Sequence, residues 1–191
     1  MTTSAQLYLA FLLLVGVERL FELWVSHRNA SRAFQAGAVE YGQGHFRAMS
    51  VLHTLFLFSC GAEVIALQRP FPGALGYLAL AGAVSAQLLR YWAISTLGDR
   101  WNVRVIVLPD AQPVTTGPYR LVRHPNYVAV VVEILCIPLI HGAWVSAVVF
   151  TVLNAAVLFV RIRAEERALG LPYASAFEHR PRFVPSLRRR E

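Results

Sequence analysis

Long apolar runs, separated by short polar stretches, follow one another along most of the chain. Such runs predict helices, and a helix needs about 20 residues to cross the hydrocarbon core of a bilayer. The first, second, third and fifth runs approach that length. The fourth run is short and turns directly into the fifth at His141 and Gly142. The runs cover residues 7–25, 48–67, 74–94, 127–140 and 143–160. We predict an all-α integral membrane protein with about five transmembrane helices, the last two forming a helical hairpin.

Composition supports a membrane protein of one domain. The chain has 191 residues, of which 56% are hydrophobic and 15% charged, whereas soluble domains carry about 25% charged residues. We therefore expect a single membrane domain over residues 1–191, with three N-terminal helices in 1–97 and a loop, hairpin and tail in 98–191. Cys60 and Cys136 lie inside apolar runs. They are expected to be buried hydrophobes, and no residue group has the spacing of a metal site.

The basic residues indicate how the chain lies in the membrane. All 18 are arginine, the net charge is +7, and the arginines fall between apolar runs rather than along one stripe. This distribution argues against nucleic acid as a partner. Five crossings with a cytoplasmic C-terminus place 15 of the 18 arginines inside, as the positive-inside rule requires. We predict a membrane protein with a cytoplasmic C-terminus, whose terminal run, residues 188–190, contacts lipid headgroups.

Six ionisable residues interrupt the apolar runs. A charge in hydrocarbon costs roughly 2.5–3.5 kcal/mol on insertion scales, so these groups are expected to face a polar interior. Arg19 and Glu22 are three residues apart on one helix face and can pair. Function and structural pairing between helices both stay open for these two and for Arg90, whereas structural roles are favoured for Glu63, Glu133, His53 and His141. The six are Glu18, Arg19, Glu22, Glu63, Arg90 and Glu133.

The densest chemical pattern flanks the predicted hairpin. The third loop, residues 98–126, has β character at 103–108 and ends in Gly-Pro-Tyr-Arg-Leu-Val-Arg-His-Pro-Asn-Tyr, residues 117–127. The hairpin ends in Arg161, followed four residues later by Glu165 on the same helix face, and by Glu166, which we expect to be solvated. Because a hairpin returns to the side it started from, these groups are expected to surround one cytoplasmic pocket.

This combination resembles the isoprenylcysteine carboxyl methyltransferase family, over about residues 101–185. The resemblance implies a membrane-embedded methyltransferase that uses S-adenosylmethionine (SAM) and releases S-adenosylhomocysteine. It implies that Arg161 faces a lipophilic methyl acceptor. The cofactor contacts that it implies are Arg104, Gln112, Pro113, Val114, Tyr119, His124, Pro125, Asn126, Tyr127 and Glu165.

The N-terminal half is similar to a bacterial subgroup of that family associated with type III polyketide synthases. Those members methylate hydroxyls of alkylpyrones or alkylresorcinols, which suggests a functional link to such a synthase. The similar stretch includes Glu40, Tyr41 and His45 in the first cytoplasmic loop, where they could line the acceptor mouth. A carboxylate acceptor needs no base at neutral pH. A resorcinol hydroxyl, with a pKa near 10, needs one, and Glu22 and His45 are the candidates.

Other readings stay open from the sequence. A membrane reductase of the sterol-reductase kind, which binds NADPH, shares a similar C-terminal hairpin. A non-catalytic membrane scaffold or transporter would also need polar groups within the membrane, although transporters usually show repeated halves with broken helices. Individually, Arg161 could be a positive-inside anchor, and Tyr119 and Tyr127 could be aromatic residues of the membrane interface.

Overall fold

Five helices form the molecule, and a two-stranded sheet and two short 3-10 turns lie in the loops between them. The computed structural model describes residues 1–185, apart from the side chain of His45; the terminal run 188–190 therefore lies outside the described residues. The elements are α1 (Thr3–Gln35), β1 (Val39–Tyr41), α2 (Gln43–Ala66), α3 (Ala74–Leu97), a turn (Gly98–Arg100), β2 (Val105–Val107), a turn (Gly117–Arg120), α4 (Pro125–Leu139) and α5 (Trp144–Ala176).

The helical hairpin is confirmed: α4 and α5 pack against each other and are joined by residues 140–143. Helix α4 also packs on α3, and α5 packs on α2. Small residues of α3, including Ala79, Ala83 and Ala86, are buried and let the helices approach closely. Helices α2 and α3 thus pack around the hairpin.

Helices α1 and α5 run beyond the predicted apolar runs. Helix α1 continues to Gln35 because no breaker occurs before Gly37, and α5 continues to Ala176. Gly170 interrupts α5 with φ 66°, a conformation open to glycine at little cost, and Pro172 follows. This kink turns the last part of the helix and directs the C-terminal segment back over the start of α4.

The predicted β character of residues 103–108 is confirmed as β2, and the sheet is a small departure from an all-α fold. Strand β2 pairs antiparallel with β1, with Val39 opposite Val107 and Tyr41 opposite Val105. The sheet ties the loop after α1 to the loop after α3. Both loops carry predicted site residues, so the pairing brings them to one end of the bundle.

The outer surface of the bundle is strongly apolar. Leu13, Phe58, Leu78 and Val148 are each about two-thirds exposed or more, and large exposed apolar surfaces mark membrane or protein contact. Among residues 1–185, two helices are long and apolar enough to cross a membrane, α5 and the Phe46–Ala66 part of α2. The predicted count of five crossings stays a prediction.

Candidate active site

Tyr127 joins the start of α4 to the end of the hairpin. Its buried hydroxyl accepts a hydrogen bond from Nε of Arg161 at 2.8 Å and donates one to Oε2 of Glu165. Arg161 and Glu165 lie one turn apart on α5 and reach Tyr127 from the same face. The structure therefore brings together three of the residues predicted from the sequence.

Arg161 is buried, with 5% of its surface exposed. Its Nη2 donates to the backbone carbonyl of Val103, just before β2, and its guanidinium lies 5.8 Å from the ring centroid of Tyr127. No carboxylate of residues 1–185 lies within ion-pair distance of this guanidinium. A buried cation held by neutral acceptors can still receive an anionic or polar oxygen.

The polar end of α1 fixes the loop that holds Arg161. The hydroxyl of Ser26 donates to Asn102 at 2.8 Å and accepts from the backbone nitrogen of Val103 at 3.1 Å. Asn29 donates to the carbonyl of Trp101 at 2.9 Å. Ser26 and Asn29 lie one and two turns after Glu22 on α1, and they position the loop whose Val103 carbonyl accepts from Arg161.

Glu166 is bound rather than solvated, so that expectation is wrong. Nε2 of His124 donates to Oε1 of Glu166 at 3.1 Å, and Arg182 binds both carboxylate oxygens at 2.9 and 2.7 Å. The hydrogen bond and charge of Glu166 raise the pKa of Arg182 above its ordinary value. The kink at Gly170 explains the error, because it returns the tail to α5.

The tail is attached to the start of α4 through the backbone. The nitrogen of Arg123 donates to the carbonyl of Pro181 at 2.9 Å, and that of His124 donates to the carbonyl of Arg182 at 3.1 Å. The side chain of Arg123 also reaches the carbonyl of Arg180 at 2.6 Å. Residues 180–182 thus form a wall beside His124.

Aromatic rings surround His124. The ring centroid of His124 lies 5.4 Å from that of Tyr127, 6.2 Å from that of Tyr173 and 6.3 Å from that of Phe183. Among these, Tyr173 and Phe183 both lie after the kink at Gly170. Their contact with His124 could not be predicted from the sequence, because it depends on that kink.

The Gly117–Arg120 turn places Tyr119 in the same region. Gly117 lies against Thr96 of α3, and a Cβ at position 117 would collide with that side chain. Tyr119 packs with Ala93 and Phe177. Burial, and then the charge of Glu165, raise the pKa of the Tyr119 hydroxyl above its ordinary value, which keeps this group a neutral donor.

The residues that lead into α4 also suit a ligand. Pro125 is buried at the first position of the helix, where its missing N–H is not needed. Asn126 has a buried Oδ1 with no hydrogen-bond partner in the described part of the chain. A buried amide oxygen without a partner is costly, so a ligand that donates a hydrogen bond here would stabilise the site.

Not all predicted cofactor contacts gather around Tyr127. Gln112 is exposed, its carbonyl accepts from Arg100 at 2.6 Å, and Pro113 and Val114 are half-buried. Within residues 1–185, no hydrogen bond links Gln112, Pro113 or Val114 to Tyr127. Their cofactor contacts stay predictions.

Arg104 is engaged at the sheet. Its Nη1 lies 3.0 Å from Oε2 of Glu40, and its guanidinium lies 5.3 Å from the ring centroid of Phe34. The pair joins the first loop to the third. The salt bridge holds Arg104 at the sheet, and its cofactor contact stays a prediction, whereas the Tyr127 hydroxyl contacts both Arg161 and Glu165.

Glu22 lies in an ion-pair cluster between α1, α3 and α4. Arg19 contacts Glu18 at 2.9 Å and Glu22 at 3.0 Å, which confirms the predicted pairing of Arg19 with Glu22. Arg90 binds Glu133 through both nitrogens of its fork and lies 3.7 Å from Glu22. Glu133 and Arg90 thus form a structural ion pair between helices, which was one of the alternatives left open by the sequence. Glu22 retains a buried Oε1 without a partner among the described residues, so its proposed role as a base stays a prediction, as does that of His45, whose side chain lies outside the described part.

Glu63 has the structural role that the sequence favoured. Its carboxylate accepts hydrogen bonds from the backbone nitrogens of Val145 and Ser146 at 3.1 and 2.7 Å, and from Arg69 at 2.9 Å. A side chain of α2 therefore caps the N-terminus of α5. This contact fixes the hairpin at the end opposite Tyr127.

His53 and His141 also have the structural roles that the sequence favoured. His141 is buried in the turn between α4 and α5, stacks on Tyr8 with ring centroids 5.4 Å apart, and lies 3.2 Å from the hydroxyl of Ser4. Nδ1 of His53 lies 2.8 Å from the carbonyl of Met49. Within residues 1–185, no three His, Cys, Asp or Glu residues group as metal ligands.

Comparisons with known proteins show which proteins this chain resembles. A sequence model described as the isoprenylcysteine carboxyl methyltransferase family matches residues 77–170, from α3 through the kink of α5. The chain is 40% identical to the uncharacterized protein YpbQ of Bacillus subtilis over 154 residues, which cover 80% of this chain and 90% of that protein. It is 28% identical to an uncharacterized protein of Haemophilus influenzae over 153 residues, 80% of this chain and 88% of that protein.

Proposed function

We propose that this chain, which belongs to the isoprenylcysteine carboxyl methyltransferase family, transfers a methyl group from SAM to an oxygen of a lipophilic acceptor. The family is one of membrane methyltransferases. The acceptor is a prenylcysteine-like carboxylate or the hydroxyl of an alkylpyrone or alkylresorcinol, and the second product is S-adenosylhomocysteine. The observation that carries the proposal is the Tyr127 hydroxyl, which joins Arg161 to Glu165 at the predicted site.

The residues around His124 suit SAM. When bound, SAM supplies an electrophilic methyl group on a positively charged sulfur. Aromatic faces attract cations, and the rings of Tyr127, Tyr173 and Phe183 lie around His124. Glu165 would hold a polar, cationic part of the cofactor, and Asn126 would accept a hydrogen bond from it through its free Oδ1. Tyr119 and Pro125 would complete the wall.

The acceptor oxygen would meet Arg161. A displacement at a methyl group needs the two reacting atoms aligned and dry, since opposite charges cancel in the transition state. Arg161 would orient the oxygen through its buried guanidinium, and Tyr127 would hold Arg161 in place. For a hydroxyl acceptor, the released proton would pass to Glu22 or His45.

The setting of the reaction is proposed with it. The enzyme would lie in a bacterial inner membrane with its C-terminus in the cytoplasm. SAM would then reach the site from water, and the acceptor from the lipid. A functional link to a type III polyketide synthase would supply an alkylpyrone or alkylresorcinol.

Methyl transfer from radiolabelled SAM tests the proposal. The purified protein is incubated with a prenylcysteine, an alkylpyrone or an alkylresorcinol, and label in the lipophilic product is measured. We expect one acceptor to be labelled and its labelling to fail in Arg161→Ala. Calorimetry with SAM and with NADPH tests the reductase alternative, and tight binding of NADPH without SAM binding would overturn the proposal.

A further inference from the structure

Strand β2 follows a loop that is firmly anchored. Ser26 and Asn29 of α1 hold residues 101–103 through hydrogen bonds, and Arg161 donates to the carbonyl of Val103. The side chains of Ser26, Asn29 and Arg161 are all buried. Because buried polar contacts are costly to break, the loop before β2 is expected to keep its place beside Arg161.

Strand β1 is attached less firmly. It is held by its pairing with β2 and by an ion pair in which Oε2 of Glu40 lies 3.0 Å from Nη1 of Arg104. Its other two residues, Val39 and Tyr41, are 49% and 43% exposed. Segments with few buried apolar groups have a low local stability, so β1 can separate from the bundle at a smaller cost than the loop before β2.

A glycine lies on each side of β1. Gly37 has φ 86° and Gly42 has φ 63°, a conformation that costs glycine little. The position that a Cβ of Gly37 would take is open space. Hinges are a few loop positions of this kind that absorb large changes in φ and ψ. Residues 37–42 are called the lid below.

The lid lies on the acceptor side of the candidate site. Both strands of the sheet pack against α5, and Arg161 of α5 contacts Val103, two residues before β2. Glu166, which binds Arg182 of the tail, follows Arg161 by five residues, a rotation of about 140° around the helix. The sheet and the tail therefore lie on different sides of α5, the sheet beside Arg161 and the tail beside the proposed cofactor wall.

The acceptor side of the site is closed. Arg161 is 5% exposed and Tyr127 is 7% exposed, so an acceptor oxygen can reach the guanidinium only if a covering segment moves. Mobile lids admit a substrate and then exclude water from the reaction. Residues 101–103 are anchored by α1, whereas the lid has a glycine at each end.

We infer that the lid opens to admit the head group of the methyl acceptor to Arg161, and that the ion pair between Glu40 and Arg104 holds it closed. The inference rests on the proposed function, because it concerns entry of the acceptor into that same site. Glu40 acts on the reaction by controlling the position of the lid. The tail lies on the other side of α5, so SAM affinity should not depend on the lid, whereas turnover should.

Hydrogen exchange of the full chain in nanodiscs measures lid opening without turnover. Glu40→Gln replaces the charged partner of Arg104 with a neutral one, so the amides of residues 39–41 should exchange at least about threefold faster. The amide of Val103, which donates to Ser26, should exchange at its native rate. Glu178→Gln, at an exposed acid of the tail, is the control and should leave the lid amides unchanged.

A disulfide across the sheet tests whether the lid must open for the reaction. Val39 and Val107 lie directly opposite each other, where Cα atoms are about 4.5–5.5 Å apart and a disulfide can form. In the double variant Val39→Cys with Val107→Cys, oxidation should lower methyl transfer at least about tenfold and leave the Kd for SAM unchanged. Reduction should restore the transfer.

The two single cysteine variants are the controls for this disulfide. Each carries one new thiol and should keep its activity under the same oxidation. The native thiols of Cys60 and Cys136 lie in α2 and α4, away from the sheet. Recovery of activity on reduction also shows that the double variant is folded.

Two results would overturn the inference: full methyl transfer by the oxidised double variant, or lid amides whose exchange is unchanged in Glu40→Gln. Failure of the proposed function has a different signature. In that case the native chain labels no acceptor, while the lid amides still exchange faster in Glu40→Gln. The lid would then be supported, and only its assignment to a methyl acceptor would be lost.

Discussion

The hydroxyl of Tyr127 accepts the Nε hydrogen bond of Arg161 across 2.8 Å, although 34 residues separate them in the chain. Tyr127 begins the hairpin and Arg161 ends it. The same hydroxyl donates to Glu165, so one oxygen atom sets the positions of a cation and an anion. The cationic Arg161, the anionic Glu165 and the neutral Tyr127 are therefore held together as one hydrogen-bonded unit.

Removal of that oxygen is the most direct test of the unit. Tyr127→Phe should destabilise the fold by about 1–3 kcal/mol, because the buried Arg161 loses an acceptor. Methyl transfer should fall at least about tenfold, since small misplacements of reacting groups are costly. Thermal unfolding and labelled-SAM turnover measure the two effects. Tyr77→Phe, at an exposed tyrosine of α3, is the control and should change neither.

Substitution of Arg161 separates orientation from anchoring. Arg161→Ala should lower turnover by about 10²-fold while SAM affinity stays close to that of the native chain. Arg161→Lys should restore activity in part, because lysine lacks the planar fork that Arg161 uses toward Tyr127 and Val103. Turnover and SAM calorimetry are measured on both variants. Full activity in the lysine variant would make Arg161 a membrane anchor.

Glu166 is predicted to stabilise the wall of the cofactor site. Glu166→Gln weakens the contacts with both His124 and Arg182, and charge-assisted hydrogen bonds contribute about 1.5–3 kcal/mol each. We expect the Kd for SAM to rise about tenfold or more. Glu178→Gln, at an exposed acid of the same tail, is the control. An unchanged Kd in Glu166→Gln would remove the tail from cofactor binding.

The Arg90–Glu133 pair should show strong coupling. Arg90→Met leaves the Glu133 carboxylate buried without its main partner, and breaking one side of such a pair costs about 3–5 kcal/mol. The double variant Arg90→Met with Glu133→Leu should recover most of that loss, because no uncompensated charge is left between these two positions. Unfolding free energies of the two single variants and the double variant form the cycle. Additive losses would argue against direct coupling.

Reporter fusions test the proposed arrangement in the membrane. A reporter at Arg69 should be active on the periplasmic side, and one after Glu191 on the cytoplasmic side, since 15 of 18 arginines then lie inside. Each fusion is the control for the other, because a reporter that is active on only one side of the membrane must give opposite results at the two positions. A cytoplasmic signal at Arg69 would contradict five crossings.

Much of the hairpin and part of the site could be predicted from the sequence. Apolar runs located α4 and α5, helix periodicity placed Arg161 with Glu165, and the positions of Tyr127 and His124 followed from the hairpin. The bound state of Glu166 could not be predicted, because it depends on how far the chain turns at Gly170. The pairing of Arg104 with Glu40 depends on contact between strands 64 residues apart, and no local pattern encodes that register.

The backbone bonds from Arg123 and His124 to residues 181 and 182 have a consequence for the timing of assembly. Synthesis proceeds from the N-terminus, and the helices can pack as they emerge. His124 is made early, yet the wall beside it comes from residues translated almost 60 positions later. The helical bundle can therefore pack before the wall beside His124 exists, and that wall forms only after the segment around Arg182 has left the ribosome.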